Sequence, residues 1–191
     1  MMLRSVLVLL MILGLVPAWA GEQARPDAEM RALLRDAITR AESFRDRFEA
    51  EVWLTDMGNR LARRWRRIPL RERVHILRAV HREATAAGLP PELVLAVIEV
   101  ESGFDRFALS SAGARGLMQV MPFWVDEIGR PEDNLFDIDT NLRYGCAILK
   151  LYLEREHGDL GRALARYNGS IGKRWYPDRV FTALRERWFR Q

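Results

Sequence analysis

The chain of 191 residues holds one cysteine and three histidines. A single cysteine, Cys146, excludes an intrachain disulfide and any cysteine-based metal cluster. It sits in the apolar helical context "LRYGCAILKLYL" and reads as a small buried hydrophobe rather than a nucleophile. His75, His81 and His157 are scattered and show no ligand spacing, so neither a metal nor a cofactor is expected. Alternating apolar runs are missing, which removes support for strands. No internal repeat and no low-complexity segment interrupts the chain.

Lysine is scarce as well. Lys150 and Lys173 are the only two, so arginine supplies nearly all the positive charge in a balance of 30 Lys+Arg against 26 Asp+Glu. The net of +4 is small, and a dense basic run with interleaved aromatics is absent. The nearest approach is "RLARRWRRIPLRER" (60–73), which reads as solvated helix faces. Nucleic acid is therefore not an expected partner.

The first residues carry a recognisable layout. Arg4 is followed by an apolar stretch from Val6 to Val16, and then by Pro17, Ala18, Trp19 and Ala20. Small residues one and three positions before a cut after Ala20 make residues 1–20 a secretory signal peptide. The apolar stretch is short for a membrane span, so no stable span is expected in the mature form. No cysteine stands at the cleavage point, which argues against a lipid anchor there. The expected location is outside the cytoplasm.

With 49% hydrophobic residues, the remainder suffices for one domain with a proper core. Residues 21–27 read as a flexible lead, and from Ala28 the pattern is helical throughout. Helices are expected over 28–56, 59–67, 70–88, 91–101, 119–128, 139–157, 159–168 and 174–188. Gly88-Leu89-Pro90-Pro91 stops one helix and starts the next, with Pro91 suited to a first helical position. The fold class is all-α. Residues 21–70 are more charged and form a helical N-terminal extension to a domain over 71–191.

The most informative stretch is "VLAVIEVESGFDRFALSSAGARGLMQVMP" (94–122), which places Glu99 and Glu101 two residues apart in an oily run. On a helix the two acids point about 200° apart and cannot flank one bond. Glu99 lies over Glu92, Leu95 and Ala96 and is expected to face water. Glu101 lies over Val94, Val97 and Ile98, at the helix's negative end. Apolar walls and that dipole both raise a carboxyl pKa, which suits a general acid. Periodicity alone leaves a second reading open, a salt bridge from Glu101 to one of the many arginines.

The surrounding motifs break the tie. Glu101-Ser102 with Phe104, Ser110, Gly113-Ala114 and "GLMQVMP" (116–122) resembles the soluble lytic transglycosylase catalytic domain of the goose-type lysozyme-like superfamily. "RYNGS" (166–170) is similar to that family's Ala-Tyr-Asn-Ala-Gly element, and "NLFDIDTNLRYGCAILKLYL" (134–153) to its long-helix segment. The resemblance covers roughly residues 75–185. It departs at Arg166, where alanine is usual, and at Gly169-Ser170, where Ala-Gly is usual.

The resemblance implies a lysozyme-like helical fold with a substrate groove. It implies Glu101 as the sole catalytic acid, and Ser102, Ser110, Gln119, Met121, Tyr167 and Asn168 as groove residues. It also implies a peptidoglycan glycan strand as substrate, cut without a cofactor in the periplasm. Five of these groove residues have a plainer alternative. Ser102 and Ser110 suit turn hydrogen bonds, Gln119 a cap, Met121 core packing, and Tyr167 a buried aromatic with its hydroxyl satisfied. A hydrolytic muramidase on the same fold, or a wall-binding or secretion-assembly protein, are the rival readings.

Overall fold

The computed structural model describes residues 43–189. The expected signal peptide and the first part of the helix expected over 28–56 lie outside them. Seven α-helices and a terminal π-turn make up the described part, with isolated bridges in place of strands.

Helix α1 (Arg47–Arg64) starts at Asp46, whose carboxylate accepts from the Glu49 backbone N–H at 2.8 Å. Two helices broken near residue 58 were expected here, and one continuous helix is found. Gly58 costs about 1 kcal/mol in a helix interior. The burial of Met57 and Leu61 on either side of it, within the Trp53–Leu54–Met57–Leu61 stripe, outweighs that.

Helix α2 (Leu70–Ala87) ends on Gly88 at φ +69°, a left-handed cap that glycine adopts without strain. Helix α3 (Pro91–Glu101) follows at once, with Pro91 in its first turn. Every residue from Leu93 to Ile98 is buried. A helix apolar all round belongs inside, and α3 is the central element, packed against α2, α7 and the π-turn. The Trp53 indole N–H donates to Glu92 at 2.8 Å and ties α1 to the start of α3. Trp53, Leu54, Met57 and Leu61 of α1 thereby join the same core as α3.

A helix was expected from 119, but α4 is short (Phe123–Ile128). The reason lies in the preceding loop. Arg115 and Val120 exchange both backbone hydrogen bonds at 3.0 Å, and Gln119 sits at φ +49° to close that turn. A left-handed glutamine cannot open an α-helix. Helix α5 (Ile138–Arg155) is capped by Asp137, and α6 (Leu160–Tyr167) by Asp159. The last expected helix divides into α7 (Trp175–Ala183) and a π-turn (Leu184–Trp188) that seats Trp188 fully in the core. No helix of the described residues is long and apolar enough to cross a membrane.

Candidate active site

Glu101 is the last residue of α3. Burial pushes its carboxyl pKa above the ordinary range. Hydrogen bonding from Tyr176 and Asn168, and the charge of Arg179, pull the other way without cancelling it. The Tyr176 hydroxyl donates to Glu101 Oε1 at 2.5 Å. Tyr176 is 1% exposed, and burial holds its own pKa well above the usual phenol range, so at neutral pH it remains a donor. Among the described residues, none of the groups acting on the Glu101 carboxyl is an acid. This is a lone, partly desolvated carboxyl with a fixed donor, an arrangement that favours the proton-bearing form and suits a general acid.

Glu99 corrects an expectation. It does not face water: the Trp188 indole N–H donates to its Oε2 at 2.8 Å, and Arg187 pairs with its Oε1 at 2.5 Å. The helical wheel turned Glu99 away from Glu101, as the structure does, but the partners that cover it come from the π-turn at the far end of the chain. Glu99 is thereby occupied and is no second catalytic carboxylate.

The loop between Ser102 and Pro122 carries the next residues, and the structure uses most of them to hold that loop. Ser102 Oγ donates to the Leu117 carbonyl at 2.7 Å and has the Ile98 carbonyl 3.2 Å away. Gln119 Nε2 donates to the carbonyls of Gly116 at 3.0 Å and Ala108 at 3.2 Å. The Tyr167 hydroxyl donates to the Met118 carbonyl at 2.8 Å. Ser110 Oγ accepts from the Ala114 N–H at 3.0 Å and is spent within its own turn. Met121 is half-buried at the loop's end. Asn168 caps α6 and is brought to Glu101, and Tyr167 beside it feels the Glu101 charge.

Three residues that the sequence did not single out complete the site. Tyr176 and Arg179 lie one turn apart on α7, and both act on Glu101. Asn141, 1% exposed on α5, accepts from the Met118 N–H at 2.8 Å and donates to the carbonyls of Arg115 at 2.8 Å and Leu135 at 2.7 Å. One amide thus pins the whole loop to α5. Gly116 (φ +73°) is needed at its position, because a Cβ there would strike both Asn141 and the Leu135 carbonyl. The departure at Arg166 has a local cause: its guanidinium pairs with the buried Glu156 at 2.6 Å, which Arg162 also reaches at 2.7 Å. Those arginines hold the Glu156 carboxyl below its ordinary pKa.

A family description, Transglycosylase SLT domain, matches residues 78–180. The chain belongs to that family. The match runs from α2 through α7, so Glu101, the pinned loop and Tyr176 all fall within the SLT domain. A transglycosylase of Enterobacteria phage PRD1 is 35% identical over 99 residues, covering 48% of this chain and 36% of its own. Membrane-bound lytic murein transglycosylase C of Yersinia pestis (strain Pestoides F) is 31% identical over 120 residues, 54% of this chain and 34% of its own. The chain thus spans about a third of the length of these relatives. Among solved structures, the lytic transglycosylase Slt of Pseudomonas aeruginosa aligns with a TM-score of 0.48 at 22% identity, over 84% of this chain and 34% of that one.

Proposed function

We propose that this SLT domain is a peptidoglycan lytic transglycosylase that cuts between N-acetylmuramic acid and N-acetylglucosamine and leaves 1,6-anhydromuramyl ends. The observation that carries the reading is the Glu101 carboxyl, half-buried, raised in pKa and held by Tyr176 at 2.5 Å, with no acid among the groups acting on it. A glycosidase working with two carboxyl groups needs the second across the bond. One carboxyl suits a substrate-assisted route instead.

In that route protonated Glu101 gives its proton to the glycosidic oxygen as the bond to muramyl C1 breaks. The muramyl 2-acetamido oxygen stabilises the positive carbon. Ionised Glu101 then takes the proton from the muramyl 6-hydroxyl, whose oxygen bonds to C1 and displaces the acetamido oxygen. The ring closes and Glu101 is protonated again, ready for the next bond. Burial favours the proton-bearing form at the start, and Tyr176 and Asn168 stabilise the carboxylate that appears midway. Met121, Asn168, Tyr167 of α6 and the pinned loop carrying Ser102, Ser110 and Gln119 form the walls that receive the sugars.

We assign the work to the periplasm, reached through residues 1–20 and a cut after Ala20. Peptidoglycan strands are the partner, and the arrangement calls for no cofactor. Mass spectrometry of digested sacculi tests the reading. Anhydro ends are expected, and exclusively hydrated muramyl ends would make the protein a muramidase.

A further inference from the structure

Helix α6 has little apolar surface to hold it. It runs for 8 residues, and the ones it buries are Ala163, Leu164 and Ala165. A helix this short is marginal by itself, and two alanines and a leucine give it a narrow seat. Yet its last turn carries two groups on which the site depends. The Tyr167 hydroxyl donates to the Met118 carbonyl at 2.8 Å, and Asn168 hydrogen-bonds the Glu101 carboxyl. Past Asn168 the chain leaves the helix through Gly169 at φ +76°, so no further turn steadies this end.

The tie comes from the end of α5. Glu156 follows the last residue of α5, and its side chain is 4% exposed. Arg166 Nε donates to Glu156 Oε1 at 2.6 Å, and Arg166 Nη2 reaches the same oxygen. Arg162, one turn earlier on α6, reaches Glu156 Oε2 at 2.7 Å. Both oxygens of one buried carboxylate are thus spent on successive turns of α6. The two arms differ in exposure: the Arg162 side chain is 73% exposed and the Arg166 side chain 29%. An exposed arm is screened by water and holds weakly, whereas a partly buried one is costly to break. Arg166 is the inner arm, and it directly precedes Tyr167 and Asn168.

We propose that Glu156 is a positioning residue: by holding Arg166 it fixes the end of α6 and so keeps Asn168 against the Glu101 carboxyl. Its consequence for catalysis rests on the transglycosylase reading above, since the carboxylate that Asn168 steadies is the one formed midway through that route. Glu156 does not act on Glu101 directly. The groups that do are Tyr176, Asn168 and Arg179, so the influence of Glu156 passes through the end of α6. Loss of the tie frees Asn168 and takes one hydrogen bond from the ionised form of Glu101. Tyr176, seated on α7, keeps its own bond to Glu101.

A pH titration followed by NMR on the full chain with carbon-13-labelled glutamate reads the Glu101 carboxyl without any substrate, and the signal lost in Glu101→Gln assigns it. Glu156→Gln and Arg166→Ala are each expected to move the Glu101 midpoint upward, the direction expected of Asn168→Ala. Glu156→Gln added to Asn168→Ala should move it no further, because the two act through one contact. Arg166→Lys keeps a cation for one carboxylate oxygen, so its midpoint should lie between those of the parent and Arg166→Ala. It carries the comparison if Glu156→Gln fails to fold. On sacculi, Glu156→Gln should lower kcat about tenfold and leave KM within about twofold of the parent. A Glu101 midpoint unmoved in folded Glu156→Gln, even with a lowered Tm, overturns the positioning role, and so does a full second shift on the Asn168→Ala background. A shifted midpoint in a chain whose parent releases no muramyl product upholds the positioning and overturns the proposed function instead.

Discussion

The Tyr176 hydroxyl reaches Glu101 Oε1 across 2.5 Å, joining two residues 75 positions apart in the chain. Burial sets the direction of the acid's shift, and that bond is the largest influence against it. It favours the ionised form and opposes the burial that favours the protonated one. Tyr176→Phe removes the donor and keeps the ring. The Glu101 pKa then rises further, and the alkaline limb of the kcat/KM profile, where the acid loses its proton, moves to higher pH. Activity at the optimum should fall on the order of 10- to 100-fold, since the carboxylate formed midway loses its partner. An unmoved limb would show that Tyr176 does not act through Glu101.

A raised carboxyl pKa has a stability consequence of definite sign. Below the unfolded-state pKa of about 4.3, Glu101 is protonated in both states and costs nothing. As pH rises through the folded value, ionisation favours unfolding, and stability is lost. Glu101→Gln removes that loss. The variant's Tm relative to the parent should therefore be more favourable at pH 7 than at pH 4, where a change of about 1 kcal/mol reads as about 2–4 °C in a domain of this size. The same offset at both pH values would contradict the raised pKa.

Asn141 makes a different prediction. Its amide satisfies one N–H and two carbonyls of the loop and its flank. Asn141→Ala strands those groups at a cost of about 3 kcal/mol, read by urea denaturation. Activity measured well below the new midpoint should also fall, because Met118 and its neighbours no longer hold the groove wall. Full activity with reduced stability would make Asn141 structural only.

At the other side of α3, Trp188→Phe deletes the N–H that Glu99 accepts at 2.8 Å and puts a smaller ring in a fully buried site. A loss of about 2–4 kcal/mol is expected in the same denaturation assay, the stranded Glu99 acceptor and the cavity both contributing. A loss within error would mean that Arg187 alone satisfies Glu99.

What the sequence made legible was local. Gly88 and Pro91 marked the junction of α2 and α3 because one supplies a left-handed cap and the other a fixed φ. The apolar stripe of α3 placed Glu101 over a buried wall, and the motifs around it pointed to the family. What stayed hidden depended on distant chain. Glu99 looked solvated because Arg187 and Trp188, which cover it, arrive from the π-turn. Tyr176 carried no signal in the sequence, because only the seating of α7 against α3 brings it to Glu101. Gln119 read as a helix start because nothing local reveals that Arg115 and Val120 pair and force it to φ +49°. Gly58 read as a break because its intrinsic cost is visible in sequence and the core that overrides it is not.

The central claim is that Glu101 alone moves the protons of a ring-closing cleavage. It is tested by digesting purified sacculi with the parent chain and with Glu101→Gln and analysing the soluble products by mass spectrometry. The account predicts 1,6-anhydromuramyl products from the parent and none above background from a folded Glu101→Gln. Anhydro products released by Glu101→Gln at the parental rate would contradict it.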